Sequence, residues 1–415
     1  MGRVYLKMRA LFLGLIVCSW VYVLDAYLVS PSMLHHGPLH TQVTLEVGNR
    51  SEVYQLYSVT YATAWSREFC VMAASASANG FGLNVLGEGR QAHFDRDRFL
   101  DKLWTLRDFV VGVMNATPED ARNRTLILFF DGYDVLVNSN PRTLVKRFVH
   151  HKKKILFGAE KGCSGTREYM AFKDNRCDPN WTSDKHTTTP FLNSGVFLGF
   201  VTEVDHLLTA AKNEYDSYLA KLQSDYGPIQ PLHETRATSK GPWDPYMIGG
   251  DQQLICQLFA HEVVRGGQSL RSAIGMSLDY ESQIFVNAYR MEIGSEIVIT
   301  AKGRVRYDVN LADCDEWDQA RFRAECRQRS VRRLRRATLP VILHFNGPQK
   351  QNMLAVASQM RWPDGPDTDE LWESEIYSVS SGARMALKEA CALYMPELAC
   401  GETVGECLVP TARDA

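Results

Sequence analysis

The sequence predicts an α/β fold with parallel strands and crossover helices, on three observations. From about Tyr54 onward, short apolar runs alternate with helical patterns at the spacing of successive strand–helix units. The run 125–131 reads as a strand buried on both faces, as in a parallel sheet. With 45% hydrophobic and 10% aromatic residues in 415, the chain can bury a large core, which excludes a disordered polypeptide. The net charge of −2 gives no electrostatic case for a nucleic-acid partner.

The N-terminus precedes that pattern. Arg3, Lys7 and Arg9 lead into an apolar run from Ala10 to Leu24 that stops at Asp25. A basic start before such a run reads as a secretory signal, cleaved or kept as a type II membrane anchor, and is assigned to 1–30. Residues 31–52 follow as a stem or linker, 53–362 as the main domain and 363–415 as a cysteine-containing extension. Sequons at Asn49, Asn115, Asn123 and Asn180 agree with the lumen of the endoplasmic reticulum or Golgi. The ten cysteines are irregularly spaced, which argues for disulfides rather than zinc. Cys163/Cys177, Cys314/Cys326 and Cys391/Cys400/Cys407 are the nearby candidates, and an odd count without Cys18 leaves at least one unpaired within the chain.

Within the main domain, residues 54–63 read as a strand and 66–80 as a helix with a serine start and a glycine stop. A strand at 82–87 and a helix at 96–114 follow, then the strand at 125–131, a helix at 141–151 and a strand at 154–160. After a Cys-, Gly- and Trp-containing loop comes a buried strand at 190–200, a helix at 204–223 and a helix start at 249–259. Residues 276–310 carry short strand patterns. Residues 315–336 form a helical segment with eight arginines, read as a solvated helix or a contact for an acidic partner. A strand ending in a turn occupies 339–350, and the tail from 366 holds a helical stretch.

In α/β sheets, ligands gather at the carboxyl ends of strands, and "LILFFDGYD" puts Asp131 and Asp134 at one. Two carboxylates at i and i+3 can converge on a divalent cation shared with substrate phosphates. The alternative is one aspartate capping the next helix and the other solvated. His344, ending the strand of "LPVILHFNGPQK", offers a third ligand or a structural hydrogen bond. Asn346, Gly347 and Lys350 behind it supply a turn with backbone N–H groups and an ammonium suited to a diphosphate. Asp251 in "GGDQQL" is a site carboxylate or an N-cap. Asn193, Ser194 and Gly195 interrupt a buried strand, which marks close approach of a ligand or a bulge.

The order "VTYAT", "DGYD", "FGAE", "FLNSGVFLG", "GGDQQL", "LDYESQIF", "LPVILHFNGPQK" resembles the glycosyltransferase domain of the procollagen lysyl hydroxylases and related collagen-type glycosyltransferases, over about residues 54–358. The last block is the most specific. The resemblance implies a Rossmann-like nucleotide-diphospho-sugar transferase (GT-A) fold with a mixed, mostly parallel sheet. It implies Mn²⁺-dependent transfer of glucose or galactose from a UDP-hexose to hydroxylysine or galactosyl-hydroxylysine of a collagen-like protein. It further implies Asp131, Asp134 and His344 as metal ligands and Tyr133 as a ring on the uracil. Thr60, Thr63 and Lys102 fall to the donor pocket, with Asn193, while Asn346, Gly347 and Lys350 take the diphosphate. Asp251 is placed beside the transferred sugar or acceptor as the catalytic carboxylate. The chain departs from the family at "NVLGEGRQ", which lacks a tryptophan, and before Asp251, where Gly249 and Gly250 replace part of an acidic run. An inactive module that binds a UDP-sugar is the alternative. Aspartate-nucleophile phosphatases fit poorly, because they follow a D-x-D with Thr or Ser and this chain has D-x-x-D followed by Val135.

Overall fold

A computed structural model describes residues 37–48, 50–90, 97–162, 187–226, 250–264, 274–316, 320–336, 339–361 and 368–395. The proposed signal, Asn49, Asn180 and Cys163, Cys177, Cys400 and Cys407 lie outside them. The elements run β1 (Thr41–Val47), β2 (Arg50–Tyr61), α1 (Arg67–Ala78), β3 (Leu83–Leu86), α2 (Asp97–Ala116), β4 (Thr125–Asp131) and β5 (Val135–Val137). They continue through α3 (Pro141–His151), β6 (Ile155–Glu160), β7 (Phe191–Phe200), α4 (Val201–Tyr226), α5 (Asp251–Val264), β8 (Met276–Leu278) and β9 (Phe285–Asn287). The rest are β10 (Ile297–Ile299), β11 (Val305–Tyr307), α6 (Ala320–Arg336), β12 (Ile342–His344), α7 (Met353–Ala357), α8 (Thr368–Trp372), β13 (Glu375–Ser378), β14 (Ala383–Ala386) and α9 (Leu387–Cys391).

Local chemistry sets several of these boundaries. Ser66 starts α1, its hydroxyl accepting the Phe69 N–H at 3.2 Å. Asn140 starts α3 in the same way through Thr143 N–H at 2.9 Å, with Pro141 in the first turn. Lys152 ends that helix in the left-handed conformation, φ 53°.

The large sheet has the order β14-β13-β3-β2-β4-β7-β6-β8, with β1 hairpinned onto β2. Strands β13, β3, β2, β4, β6 and β8 run one way, and β1, β7 and β14 oppose them. The sheet is therefore mixed and mostly parallel. The two-residue period of β4 divides its side chains between two cores. Leu126, Leu128 and Phe130 pack with α1 and the small β5-β12-β9 sheet, while Ile127 and Phe129 pack under α2, α4 and α5. Burial on both faces explains why the sequence shows an unbroken apolar run there.

Two segments differ from their sequence reading. Thr41–Val47, placed in the stem, is a strand whose Val43 and Leu45 are buried while its alternate residues face outward. The segment from 363, read as an extension with one helical stretch, contains the β13–β14 hairpin, and β13 extends the large sheet beside β3. A disulfide joins Cys391 in α9 to Cys70 in α1, a pairing not among the nearby candidates. Cys314–Cys326 pairs as expected, and Cys256 is a buried free thiol. Disulfides fit an oxidising compartment. Asn115 and Asn123 are both exposed, as glycan acceptors must be. Among the described residues no helix is long and apolar enough to cross a membrane; Ala10–Leu24 is not among them.

Candidate active site

Asp131 closes β4, and Asp134 opens the step into β5. Gly132 allows that tight step, since a Cβ there would lie 2.6 Å from the Tyr61 carbonyl oxygen. Strand β12 pairs antiparallel with β5 and parallel with β9, setting His344 opposite Val135 and Asn287. The Phe345 N–H donates to the Asp134 carbonyl at 2.7 Å, locking the two strand ends together. Ligand atoms of Asp131, Asp134 and His344 consequently lie within 4.8 Å of one another. His344 Nε2 is 3.4 Å from Asp134 Oδ1 and 3.7 Å from Asp131 Oδ2. Neither aspartate caps α3, because Asn140 does, and Asp134 is only 1% exposed.

The charges in this cluster are strongly coupled. Burial works against the charged form of His344, yet the Asp134 and Asp131 carboxylates outweigh it and push its pKa up. Asp134 is held well below the usual carboxylate range, His344 and Lys350 overcoming its burial. Lys350 reaches Asp134 Oδ2 at 2.8 Å from a side chain that is 60% exposed. His344 Nε2 is buried without a hydrogen-bond partner, although it faces two carboxylates. Two carboxylate oxygens and one imidazole nitrogen are a donor set for a divalent cation, and a buried ring nitrogen without a partner is one that a cation can satisfy.

These residues line a cleft of about 360 Å³ at the strand ends. Lys102 projects into it from α2 and bridges Asp131 at 2.9 Å and Asp251 at 2.7 Å. Burial disfavours its charge, but those two carboxylates raise its pKa. Asp251, the first residue of α5, also accepts from Ser194 Oγ at 2.7 Å, so its carboxylate turns into the cleft rather than capping the helix. At Asn193–Gly195 the bulge reading is the one observed. The β6–β7 register shifts at Phe157/Gly158, and a Cβ at Gly195 would overlap His344 Cε1 and lie 2.7 Å from Asp131 Oδ2. The groups that approach Gly195 closely are thus the His344 and Asp131 side chains.

The remaining sequence-derived residues divide. Asn346, Gly347 and Lys350 line the cleft along with Lys102, Asn193 and Asp251. The Asn346 side chain is already engaged, accepting from Tyr289 N–H at 3.0 Å and donating to Glu160. Thr60 is fully buried, its hydroxyl 3.2 Å from where a Gly132 Cβ would stand, and it does not line the cleft. Thr63 and Tyr133 do not line it either. The Tyr133 hydroxyl instead accepts the N–H groups of Thr63 at 2.9 Å and Ala64 at 3.1 Å, holding that loop.

Glu160, Gln252 and Tyr289 line the cleft without having been singled out in the sequence, and Ser194, noted there only for interrupting a strand, lines it too. Glu160 ends the buried run "ILFGAE" as Asp131 ends "LILFFD", so the same signal was present. Burial raises its pKa to about 7, against the opposing amide donors of Gln252, Asn193 and Asn346.

Comparison with known proteins places this geometry. Residues 52–219 match the family model described as the PLOD GT domain. This segment is similar to a PLOD-type glycosyltransferase domain. That similarity and the mixed, mostly parallel sheet fit a GT-A type α/β fold. The chain is 24% identical over 259 residues to a Drosophila melanogaster protein named procollagen-lysine,2-oxoglutarate 5-dioxygenase, covering 62% of this chain and 25% of the relative. It is 28% identical over 164 residues to a Caenorhabditis elegans multifunctional procollagen lysine hydroxylase and glycosyltransferase, covering 38% of this chain and 20% of the relative. It is 24% identical over 234 residues to the Homo sapiens multifunctional procollagen lysine hydroxylase and glycosyltransferase LH3, covering 55% and 21%. The matches thus span a quarter or less of those relatives. His344 and the "NGPQK" turn lie beyond the matched model, and the PLOD-type segment brings Asp131 and Asp134 to meet them.

Proposed function

We propose that this chain transfers a hexose, glucose or galactose, from a UDP-sugar to a hydroxyl acceptor, hydroxylysine or galactosyl-hydroxylysine of a collagen-like protein. The work takes place in the lumen of the secretory pathway, with residues 1–30 as signal or anchor. The observation that carries this reading is the convergence of Asp131, Asp134 and His344, in and beyond a PLOD-type domain, in one cleft with Lys102, Asp251 and Lys350.

Asp131, Asp134 and His344 would hold the cation, Mn²⁺ in this reading. When bound, it supplies positive charge against the diphosphate that leaves with its electron pair. Lys350 adds an ammonium at the exposed edge of the same group, and the Gly347 turn offers backbone N–H groups to phosphate oxygens. Lys102 balances Asp131 and Asp251, which offsets the cost of burying its own charge and that of Asp251. Both contacts to Asp251 fall on Oδ2. Oδ1 is then the atom that takes the acceptor's proton or faces the positive charge developing on the sugar.

The test is a panel of UDP-hexoses incubated with Mn²⁺, deglycosylated collagen and free hydroxylysine. Transfer of glucose or galactose to either acceptor is expected. Saturable UDP binding with no turnover on any donor identifies an inactive binding module instead, and neither binding nor turnover refutes the proposal.

A further inference from the structure

The His344 ring has two nitrogens, and only one faces the acids. The other, Nδ1, lies between two side-chain amides: Asn287 Oδ1 at 2.8 Å and Asn193 Oδ1 at 3.0 Å. Which atom each amide presents is settled by its own neighbours. The Gly195 backbone N–H, which can only donate, is 2.9 Å from Asn193 Oδ1, while Asn193 Nδ2 donates to the Glu160 carboxylate at 3.1 Å. Asn287 Nδ2 donates to the Ala159 carbonyl at 3.1 Å. Turning either amide over would set donor against donor or acceptor against acceptor. Both amides therefore aim oxygen at Nδ1, and Nδ1 must carry a hydrogen.

We infer that Asn287, seconded by Asn193, is a positioning residue that fixes His344 with its proton on Nδ1, leaving Nε2 to bind a divalent cation beside Asp131 and Asp134. The inference rests on the cation reading of the site. Asn287 is fully buried, is paired with His344 across β9 and β12, and does not line the cleft, so it acts through the ring and not on substrate. Gly158 makes room for it: a Cβ there would overlap Asn287 Nδ2. The β6–β7 irregularity falls at Phe157/Gly158, where Gly158 of β6 leaves room for Asn287 of β9 and is paired with Asn193 of β7. A histidine ligand whose second nitrogen donates to an oriented oxygen keeps its ring angle and its tautomer, and losing that partner weakens metal binding by about 10- to 100-fold in such sites.

The experiment compares the full chain with Asn287→Leu, which keeps the shape and removes the acceptor, and Asn287→Asp, which restores an oxygen at Nδ1. Mn²⁺ affinity is read by electron paramagnetic resonance without nucleotide. A loss of about tenfold or more in the Leu variant, largely recovered in the Asp variant, is expected. Unchanged affinity in Asn287→Leu, or equal loss in both variants with equal falls in metal-free melting temperature, contradicts a positioning role. The ¹⁵N spectrum of metal-free, histidine-labelled protein, assigned against His344→Gln, decides the tautomer without any metal. The neutral ring is expected to carry hydrogen on Nδ1, and a bare Nδ1 overturns the inference even if Leu fails to fold. Failure of the wild type to bind Mn²⁺ while Nδ1 carries the hydrogen would instead count against the cation reading and leave the ring's orientation standing.

Discussion

Single residues decide whether the site can exist, and Gly195 is the clearest case. Any side chain there overlaps the His344 ring and crowds Asp131, both of which are fixed by strand ends. Gly195→Ala is expected to lower Mn²⁺-dependent turnover by at least a hundredfold while costing roughly 1–3 kcal/mol of stability, the range for overpacking a tight interior. Turnover and melting temperature measured together check this, and near-normal turnover would show that the cluster can shift without loss. Glu160 gives a pH signature. Burial lifts its folded pKa to about 7, above the ordinary 4.5 of a glutamate, so folding favours the protonated form. Its stabilising contribution is complete below about pH 4.5 and declines as pH rises through 7. Across that window the loss is on the order of 3 kcal/mol. Glu160→Gln should flatten the fall in stability between pH 5 and 8, measured by urea denaturation; an identical slope in both proteins contradicts the shift.

Elements were legible in the sequence where the pattern is local. Helix α3 and strand β4 begin and end where capping residues and apolar runs say they should. Elements that depend on distant partners were not legible. Strand β13 is short and polar on its face, and its partner β3 lies some three hundred residues earlier, a contact no local period encodes. Strand β1 did show alternation, in "TQVTLEV", but its position ahead of the main pattern made it read as stem. The Cys70–Cys391 disulfide has the same origin, since it joins residues separated by 321 positions that only the tertiary fold brings together. It anchors α9, and with it the β13–β14 edge, to α1. Cys391→Ser is therefore expected to cost about 2–5 kcal/mol, read as a fall in melting temperature relative to the oxidised protein. A melting temperature that does not change would show that the edge is held by packing alone.

At the scale of the molecule, the site exists because strands from distant parts of the chain end at one place. The D-x-x-D pair was visible as carboxylates closing an apolar strand, and His344 as a polar end to another. Their meeting depends on β12 inserting between β5 and β9, two hundred residues apart in sequence from the acids, and that insertion has no local signature. Of the residues matched by resemblance alone, Thr60 is buried beneath a turn and the half-buried Tyr133 braces a loop through its hydroxyl. The central claim is that Asp131, Asp134 and His344 together hold a cation that in turn holds a nucleotide diphosphate. Calorimetric titration of UDP tests it most directly, with Mn²⁺ and with chelator, on the wild type and on Asp134→Ala. Saturable UDP binding that needs Mn²⁺ and vanishes in Asp134→Ala is the predicted result; UDP binding that survives both chelator and substitution would contradict it.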